Sequence, residues 1–393
     1  MASTLFHNAN QIVTNSSDQL YDLSIIENAS LLVNDKKITW MGASADAPKS
    51  DNIVDCTNRV LLPGFVDSHS HLVFAGDRSA EFAARMAGES YSAGGIHFTV
   101  EKTRAASDEV LRSNISKLIA EMHENGITHY EIKTGYGLTL QDEIRALKIA
   151  REFTEDVTLM AAHVVPKEFE NNRSEYVDLI INEMLPASVG IAKWVDVFCE
   201  SGAFFIDESK RILMAAKQLG FGLKIHANQL GQAETLQLAA ELSVTSADHC
   251  TYLENNDIAA LIEKDVVATL LPATEFSTNS PYPDAQKLIT AGAKVAIATN
   301  CNPGSSFTTS MPFCIAVAVR EMNFTTEQAI WAATKGGALA LANRDLGKLA
   351  VGGFADLVVL DAPSYVHLAY RPGVSMIHST YISGQRVFTK GGK

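Results

Sequence analysis

Long apolar runs are missing from this chain. No stretch of about 18 uncharged apolar residues occurs, so no segment is expected to cross a bilayer as a helix. Basic clusters are missing too. Lys plus Arg number 32 against 45 Asp plus Glu, a net charge of −13, and a surface that acidic repels nucleic acid and anionic membranes. Cysteine is scarce: Cys56, Cys199, Cys250, Cys301 and Cys314 are odd in number and show no CxxC spacing, as expected of reduced thiols. The first residues, Met1-Ala-Ser-Thr-Leu-Phe-His7, lack a basic stretch followed by an apolar one, so no secretory signal is expected and the reading is a cytoplasmic protein. Neither Gly94-Gly95 nor Gly135-Tyr136-Gly137 completes the GxGxxG of a dinucleotide fold. No repeat of 20–50 residues and no low-complexity tract is present, in the sense these features carry for solenoids and disordered segments.

What is there is apolar residue in quantity, 47% of 393, enough for a large core. Its arrangement differs between the ends and the middle. Residues 1–60 and 345–393 hold short β-rich runs, such as Ser30-Leu-Leu-Val-Asn34 and Ala355-Asp-Leu-Val-Val-Leu360, broken by Asn, Asp, Gly and Ser. Neither end has strands enough for a stable sheet alone. They are expected to combine into one small β-sandwich domain, with residues 61–344 inserted between its halves. In that middle segment, strand-like runs fall at 61–67, 127–133, 157–162, 194–199, 222–226, 243–248, 266–271 and 294–299. Amphipathic helices are expected between them: one from Asp108 stopped by Gly126, two opened by the capping pairs Thr139/Asp142 and Thr325/Gln328, and one capped by Asp207 and ended by Gly220. Eight buried strands alternating with helices spell a distorted (β/α)8 barrel.

In such a barrel, function collects at the C-terminal ends of the strands. There the sequence places Asp67-Ser-His69-Ser-His71, Glu131-Ile-Lys133-Thr-Gly-Tyr136, His163, His226, Asp248-His249 and Asn300-Cys-Asn302-Pro-Gly304-Ser305. Alternate residues of a strand point the same way, so His69 and His71 can present two imidazoles to one ion. Any one of these histidines alone is more often a hydrogen-bonded core or surface residue. Five of the eleven on one rim favour a metal site.

Leu62-Pro-Gly-Phe-Val-Asp-Ser-His-Ser-His71 resembles the signature of the metal-dependent amidohydrolase superfamily. Further stretches resemble one branch of it: His71-Leu-Val-Phe-Ala-Gly-Asp-Arg78, Gly94-Gly-Ile96, Glu131-Ile-Lys-Thr-Gly-Tyr-Gly-Leu138, Val195-Asp-Val-Phe-Cys-Glu200, His226-Ala-Asn-Gln229, Cys301-Asn-Pro-Gly304 and Ala369-Tyr-Arg-Pro-Gly373. Members of that branch open the ring of 4-imidazolone-5-propanoate to N-formimino-L-glutamate in histidine degradation. The resemblance implies one Zn²⁺ or Fe²⁺/Fe³⁺ ion per subunit, held by His69, His71 and His226 with Asn300 at the fourth protein position. It also implies a small-molecule substrate and a homodimer. In that scheme Arg78 takes the propanoate carboxylate, and Tyr91, Tyr136 and His163 contact the substrate. Gln229 stands where relatives carry Gln or Glu, as a substrate-binding and catalytic candidate that can help organise the water, and Asn302, Gly304 and Ser305 address the product's second carboxylate. His249 steadies the oxyanion. Read from the residues alone, Arg78 could equally pair with Asp77 or Glu81, and the tyrosines could be core. Lys133 lies on the second strand rather than the fourth, where the superfamily's metal-bridging lysine stands, and reads as an ion-pair partner.

Asn300 is the departure. The resemblance calls for Thr-Asp-Cys-Asn-Pro-Gly, and this chain has Thr299-Asn300-Cys301-Asn302-Pro303-Gly304. An amide oxygen can face a metal, but an amide is no base near pH 7. Alternatives are therefore an activity-impaired homologue or variant, or a related cyclic amidohydrolase or deaminase.

Overall fold

The computed structural model describes residues 2–88 and 95–392, and divides into two compact units. The first comprises Met1–Asp67, Ile119–His129 and Thr309–Lys393. Its eight-stranded sheet draws β1 (Thr4–Val13), β2 (Ile25–Asn34), β3 (Lys37–Ala43), β4 (Asn52–Asp55) and β5 (Val60–Pro63) from one end of the chain. From the other end come strands Leu357–Leu360, Ile377–Ile382 and Gln385–Thr389. The seam is antiparallel: Leu357–Leu360 pairs residue for residue with Val60–Pro63. β1 changes partner along its length, from β4 at Thr4–His7 to β5 at Gln11–Ile12, across a bulge between Phe6 and Ala9. Bulges of this kind let one strand turn a corner between two layers. Phe6, Ile12, Leu31, Ile38, Leu61, Leu357 and Val359 form the core of this unit, with contributions from both ends. A short pair, β6 (Phe65–Asp67) with β7 (Ile127–Tyr130), completes its strands up to residue 130.

The second unit, Ser68–Leu118 and Tyr130–Thr308, carries a seven-stranded all-parallel sheet. In chain order its strands are β8 (Ile132–Lys133), β9 (Val157–Ala162), β10 (Trp194–Cys199), β11 (Gly222–Ala227), β12 (Ser246–His249), β13 (Val267–Leu270) and β14 (Val295–Ile297). Each pairs with its neighbours in sequence. Nearly every residue in them is buried, as strands covered on both faces must be. The eighth position is filled by the segment around Ser70, whose carbonyl accepts from Lys133 N at 2.8 Å, while His71 N donates to Cys301 O and Asn300 N to His69 O, each at 2.9 Å. That segment lies between the first and last strands of the sheet, which is the closure of a distorted (β/α)8 barrel.

Four expectations need correction. The run 61–67 is two strands in two sheets, broken at Gly64, and the run 127–133 is likewise split at Glu131. The run 243–248 becomes a strand only at Ser246, because Ser243 ends the preceding helix in a left-handed conformation (φ 52°). Asp207 is not a cap: the helix starts at Ile206, and Glu208 reaches back to accept from Phe205 N at 2.9 Å. Thr139 and Thr325 do cap their helices, accepting from Asp142 N and Gln328 N.

Candidate active site and metal centre

His69 and His71 leave the chain just after β6, His163 just after β9, His226 within β11 and His249 at the end of β12, and all five imidazoles are buried or nearly so. They converge. His69 Nε2 and His71 Nε2 are 3.2 Å apart, and the rings of His69 and His226 are 4.5 Å apart between centroids. One ring nitrogen each from His69, His226 and His249 lies within 4.8 Å of the others. The histidines expected as ligands are thus brought together, and His249 joins them. His249 and Asn300 hold left-handed backbone conformations (φ 79° and 51°), sparsely populated for residues with a Cβ and typical of functional sites.

Buried anions aim these rings. Asp248 Oδ2 is 2.6 Å from His69 Nδ1, and Asp196 Oδ2 is 3.0 Å from His226 Nδ1, which turns both Nε2 atoms toward the cluster. His163 Nδ1 donates to Gly135 O at 3.0 Å, freeing its Nε2. Gly135 is needed for that approach: a Cβ there would sit 2.8 Å from the His163 ring, and its φ is 112°. Burial first, then the mutual repulsion of neighbouring cations, holds His69, His71 and His249 well below the usual histidine range, and His163 down to about 3. Neutral imidazoles are what a metal requires.

Beneath the histidines lies an ion cluster, all of it buried. Lys133 Nζ contacts Asp196 at 2.7 Å, Glu131 at 3.1 Å and Asp248 at 3.6 Å, and Lys224 Nζ contacts Glu131 at 3.1 Å. Burial alone would lower the Lys133 ammonium, but Asp196, Glu131 and Asp248 together raise it above its ordinary value. Lys133 is therefore an ion-pair partner. Three carboxylates against two ammonium groups leave one formal negative charge under the imidazoles, favourable to a cation above them. The site fits a metal on two further counts. The Oδ1 of Asn300 is buried without a hydrogen-bond partner, and a 3.2 Å separation of the His69 and His71 Nε2 atoms suits two imidazole nitrogens at about 2.0–2.1 Å from one ion. The sequence reading places Glu131 and Asp248 at strand ends without a role, and Asp196 and Lys224 escaped it. Their signal was a charge inside an otherwise apolar strand, as in Trp194-Val-Asp-Val-Phe-Cys199 and Gly222-Leu-Lys-Ile-His-Ala227.

The cleft above the cluster is lined by His71, Arg78, Ile96, Tyr136, His163, Val164, Phe198, His226, Gln229, His249, Asn300, Asn302 and Ser305. No carboxylate is among these described residues. Tyr136 lies 5.3 Å from His163 between ring centroids, on a loop pinned by Glu143, which accepts from Gly137 N and Leu138 N at 2.8 Å. Glu200 grips the backbone N–H of Gln229. Asn300 donates through Nδ2 to Thr274 Oγ1 at 2.8 Å. The backbone donors of Gly304 and Ser305 are taken by Asn302 Oδ1 at 2.8 and 2.9 Å, so they shape the turn rather than point at a ligand. Arg78 makes a two-point pair with Glu81, while Asp77 accepts from Ser79 N at 2.7 Å. Tyr91 and Gly94 lie outside the described residues.

A parallel-stranded barrel with a buried histidine centre at its strand ends is the frame of a metal-dependent hydrolase, and residues 60–387 match the amidohydrolase family. Solved structures agree on the fold: guanine deaminase from C. acetobutylicum superposes with a TM-score of 0.73 over 98% of this chain and 100% of that one, at 15% identity. The A. niger ochratoxinase gives 0.71 over 99% and 96%, at 18% identity. Nearer in sequence, the imidazolonepropionase of Mycolicibacterium smegmatis is 52% identical over 99% of this chain and 98% of its own length. That of Streptomyces griseus is 53% identical over 93% and 94%. The chain belongs to the amidohydrolase family and, within it, to the imidazolonepropionases.

Proposed function

We propose that this protein hydrolyses the cyclic amide of 4-imidazolone-5-propanoate to N-formimino-L-glutamate, a step of histidine degradation, with one Zn²⁺ or iron ion per subunit. The observation that carries the reading is the convergence of His69, His71, His226 and His249, with carboxylates behind two of them, in a chain about half identical to named imidazolonepropionases along nearly all its length. His69, His71 and His226 would hold the ion through Nε2, with Asn300 Oδ1 at the fourth protein position. A bound ion of this kind polarises a carbonyl and acidifies water.

The chain's own groups do the rest. Arg78 takes the tail carboxylate, and its planar fork suits that group better than a point charge would. Tyr136 and His163 bound the ring, with His163 Nε2 available as an acceptor because Nδ1–H is committed to Gly135 O. Gln229 addresses ring polar atoms by hydrogen bonding only. His249 faces the carbonyl that becomes tetrahedral and steadies the charge developing on its oxygen. Tyr91 belongs to the same proposal on sequence grounds. Asn302, with Gly304 and Ser305, builds the wall next to Arg78. With Gln229 and Asn300 both amides, the proton acceptors of the described cleft are imidazoles. The same reading includes a cytoplasmic homodimer, on the resemblance to the imidazolonepropionases, without nucleic-acid or membrane partners; the net charge of −13 disfavours nucleic acid, and no helix of the described residues is long and apolar enough to span a membrane. The test is metal analysis of purified protein with a steady-state assay of N-formimino-L-glutamate formation. A metal-free protein, or a metal-replete one with no turnover even as Asn300→Asp, would refute it.

A further inference from the structure

Arg78 sits in a slot with unusual walls. Its side chain is 6% exposed, and Nε and Nη2 donate to Glu81 Oε2 and Oε1 at 2.8 and 2.7 Å, one turn on in the helix Ser79–Met86. On one side lies Gly95, where a Cβ would be 2.3 Å from Arg78 Nη2 and 2.2 Å from Glu81 Oε2. On the other lies Gly304, where a Cβ would be 2.2 Å from Arg78 Nη1. Only residues without a side chain admit the guanidinium here. A second buried arginine, Arg85, donates to Gly304 O at 2.8 Å and approaches Glu81 to 4.0 Å, so it fixes the Gly304 wall from behind.

A guanidinium carries five N–H donors. Glu81 occupies one edge of Arg78, the Nε/Nη2 edge, and leaves the donors of Nη1 and one of Nη2. The two arginines and one glutamate sum to a single positive charge, which matches one incoming carboxylate. We infer that Glu81 is a positioning residue for substrate: it holds Arg78 by one edge in the glycine slot so that the other edge meets the propanoate carboxylate. This inference rests on Arg78 being the carboxylate ligand.

The sign of the effect follows from burial. Glu81 is 31% exposed and its charge is screened by water, whereas the orientation it imposes on a nearly buried Arg78 is not. Loss of the orientation therefore outweighs relief of the negative charge. Steady-state kinetics of the metal-loaded enzyme on 4-imidazolone-5-propanoate and on its tail carboxamide provide the test. Glu81→Ala should raise KM for the carboxylate about tenfold, the size expected for disordering one charge-assisted contact, with a smaller change in kcat. Glu81→Gln, which keeps one acceptor, should fall between, and the carboxamide should not distinguish wild type from either variant. Gly304→Ala, with Glu81 intact, should reproduce the carboxylate-specific rise by crowding Nη1. An unchanged or lowered KM in Glu81→Ala, or equal effects on carboxylate and carboxamide, would overturn the inference. Arg78→Ala separates the two levels: if it leaves KM for the carboxylate unchanged, the assignment of Arg78 itself fails, whereas a large rise there with none in Glu81→Ala removes only the role of Glu81.

Discussion

Asn300 puts an amide where the proposed chemistry uses a carboxylate, and its surroundings accommodate the amide. Nδ2 has Thr274 Oγ1 to donate to, and Oδ1 remains for the ion. The amide is neutral and cannot take a proton, so Asn300→Asp should raise kcat by at least about 10²-fold, the usual worth of a general base, with little change in KM. Comparing the two proteins' turnover at saturating substrate checks this; equal rates would assign the base role to His249. Asp248 makes the complementary case. It holds His69 by Nδ1 and touches no substrate-facing surface, so Asp248→Asn should weaken metal affinity by about 10–100-fold, the range for lost partners of metal-binding histidines. Chelator competition measures that directly. The identity of His69 as a candidate was readable from His-x-His; the identity of Asp248 as its partner was not, because the two are 179 residues apart and meet only across the interior of the closed barrel, β12 being paired with β11 and β13.

Among the elements, the helix Pro272–Thr278 after β13 carries a buried titratable group, Glu275. Its Oε1 accepts from Thr251 Oγ1 at 2.8 Å and its Oε2 has no partner, and burial pushes its carboxyl up to about 8. The raised value means the folded protein holds this proton while the unfolded chain, with an ordinary carboxyl near 4.5, has lost it. Its contribution to stability is therefore complete below pH 4.5 and drains away as pH rises toward 8. Glu275→Gln removes the titration. Relative to wild type, the variant should gain stability progressively between those values, by on the order of a few kcal/mol at the top of the range, and the gap should then stay level. Chemical denaturation at several pH values reads it. Elements were legible where local chemistry sufficed: the Thr325 capping box stands as read, and Thr139 caps its helix through Asp142 N, with Asp142 Oδ2 accepting from the Thr139 hydroxyl. The Asp207 cap failed because an acidic residue suits the first turn of a helix as well as its cap, and Glu208 had the better reach to Phe205 N.

For the molecule as a whole, the seam between the two chain ends has a testable consequence. Leu357–Leu360 is the antiparallel neighbour of β5 and supplies Leu357 and Val359 to the same core as Phe6, Ile12 and Leu61. Deleting residues 345–393 would strip β5 of that neighbour and open an apolar face and an unpaired strand edge. The shortened chain is expected to aggregate, or to bind a hydrophobic dye strongly, rather than to lose only local structure. Size-exclusion chromatography and dye fluorescence of the deletion test this. The sequence by itself determined the class of fold, since eight buried strands alternating with helices leave few arrangements, and it determined the histidines, since they recur at strand ends. Only the tertiary structure decided which charges sit beneath them, that Gly95 and Gly304 wall in the Arg78–Glu81 pair, and how closely the imidazoles converge. The reason is physical: periodicity and capping depend on neighbours within a few residues, whereas ion pairing and close packing depend on groups that approach only after the barrel closes.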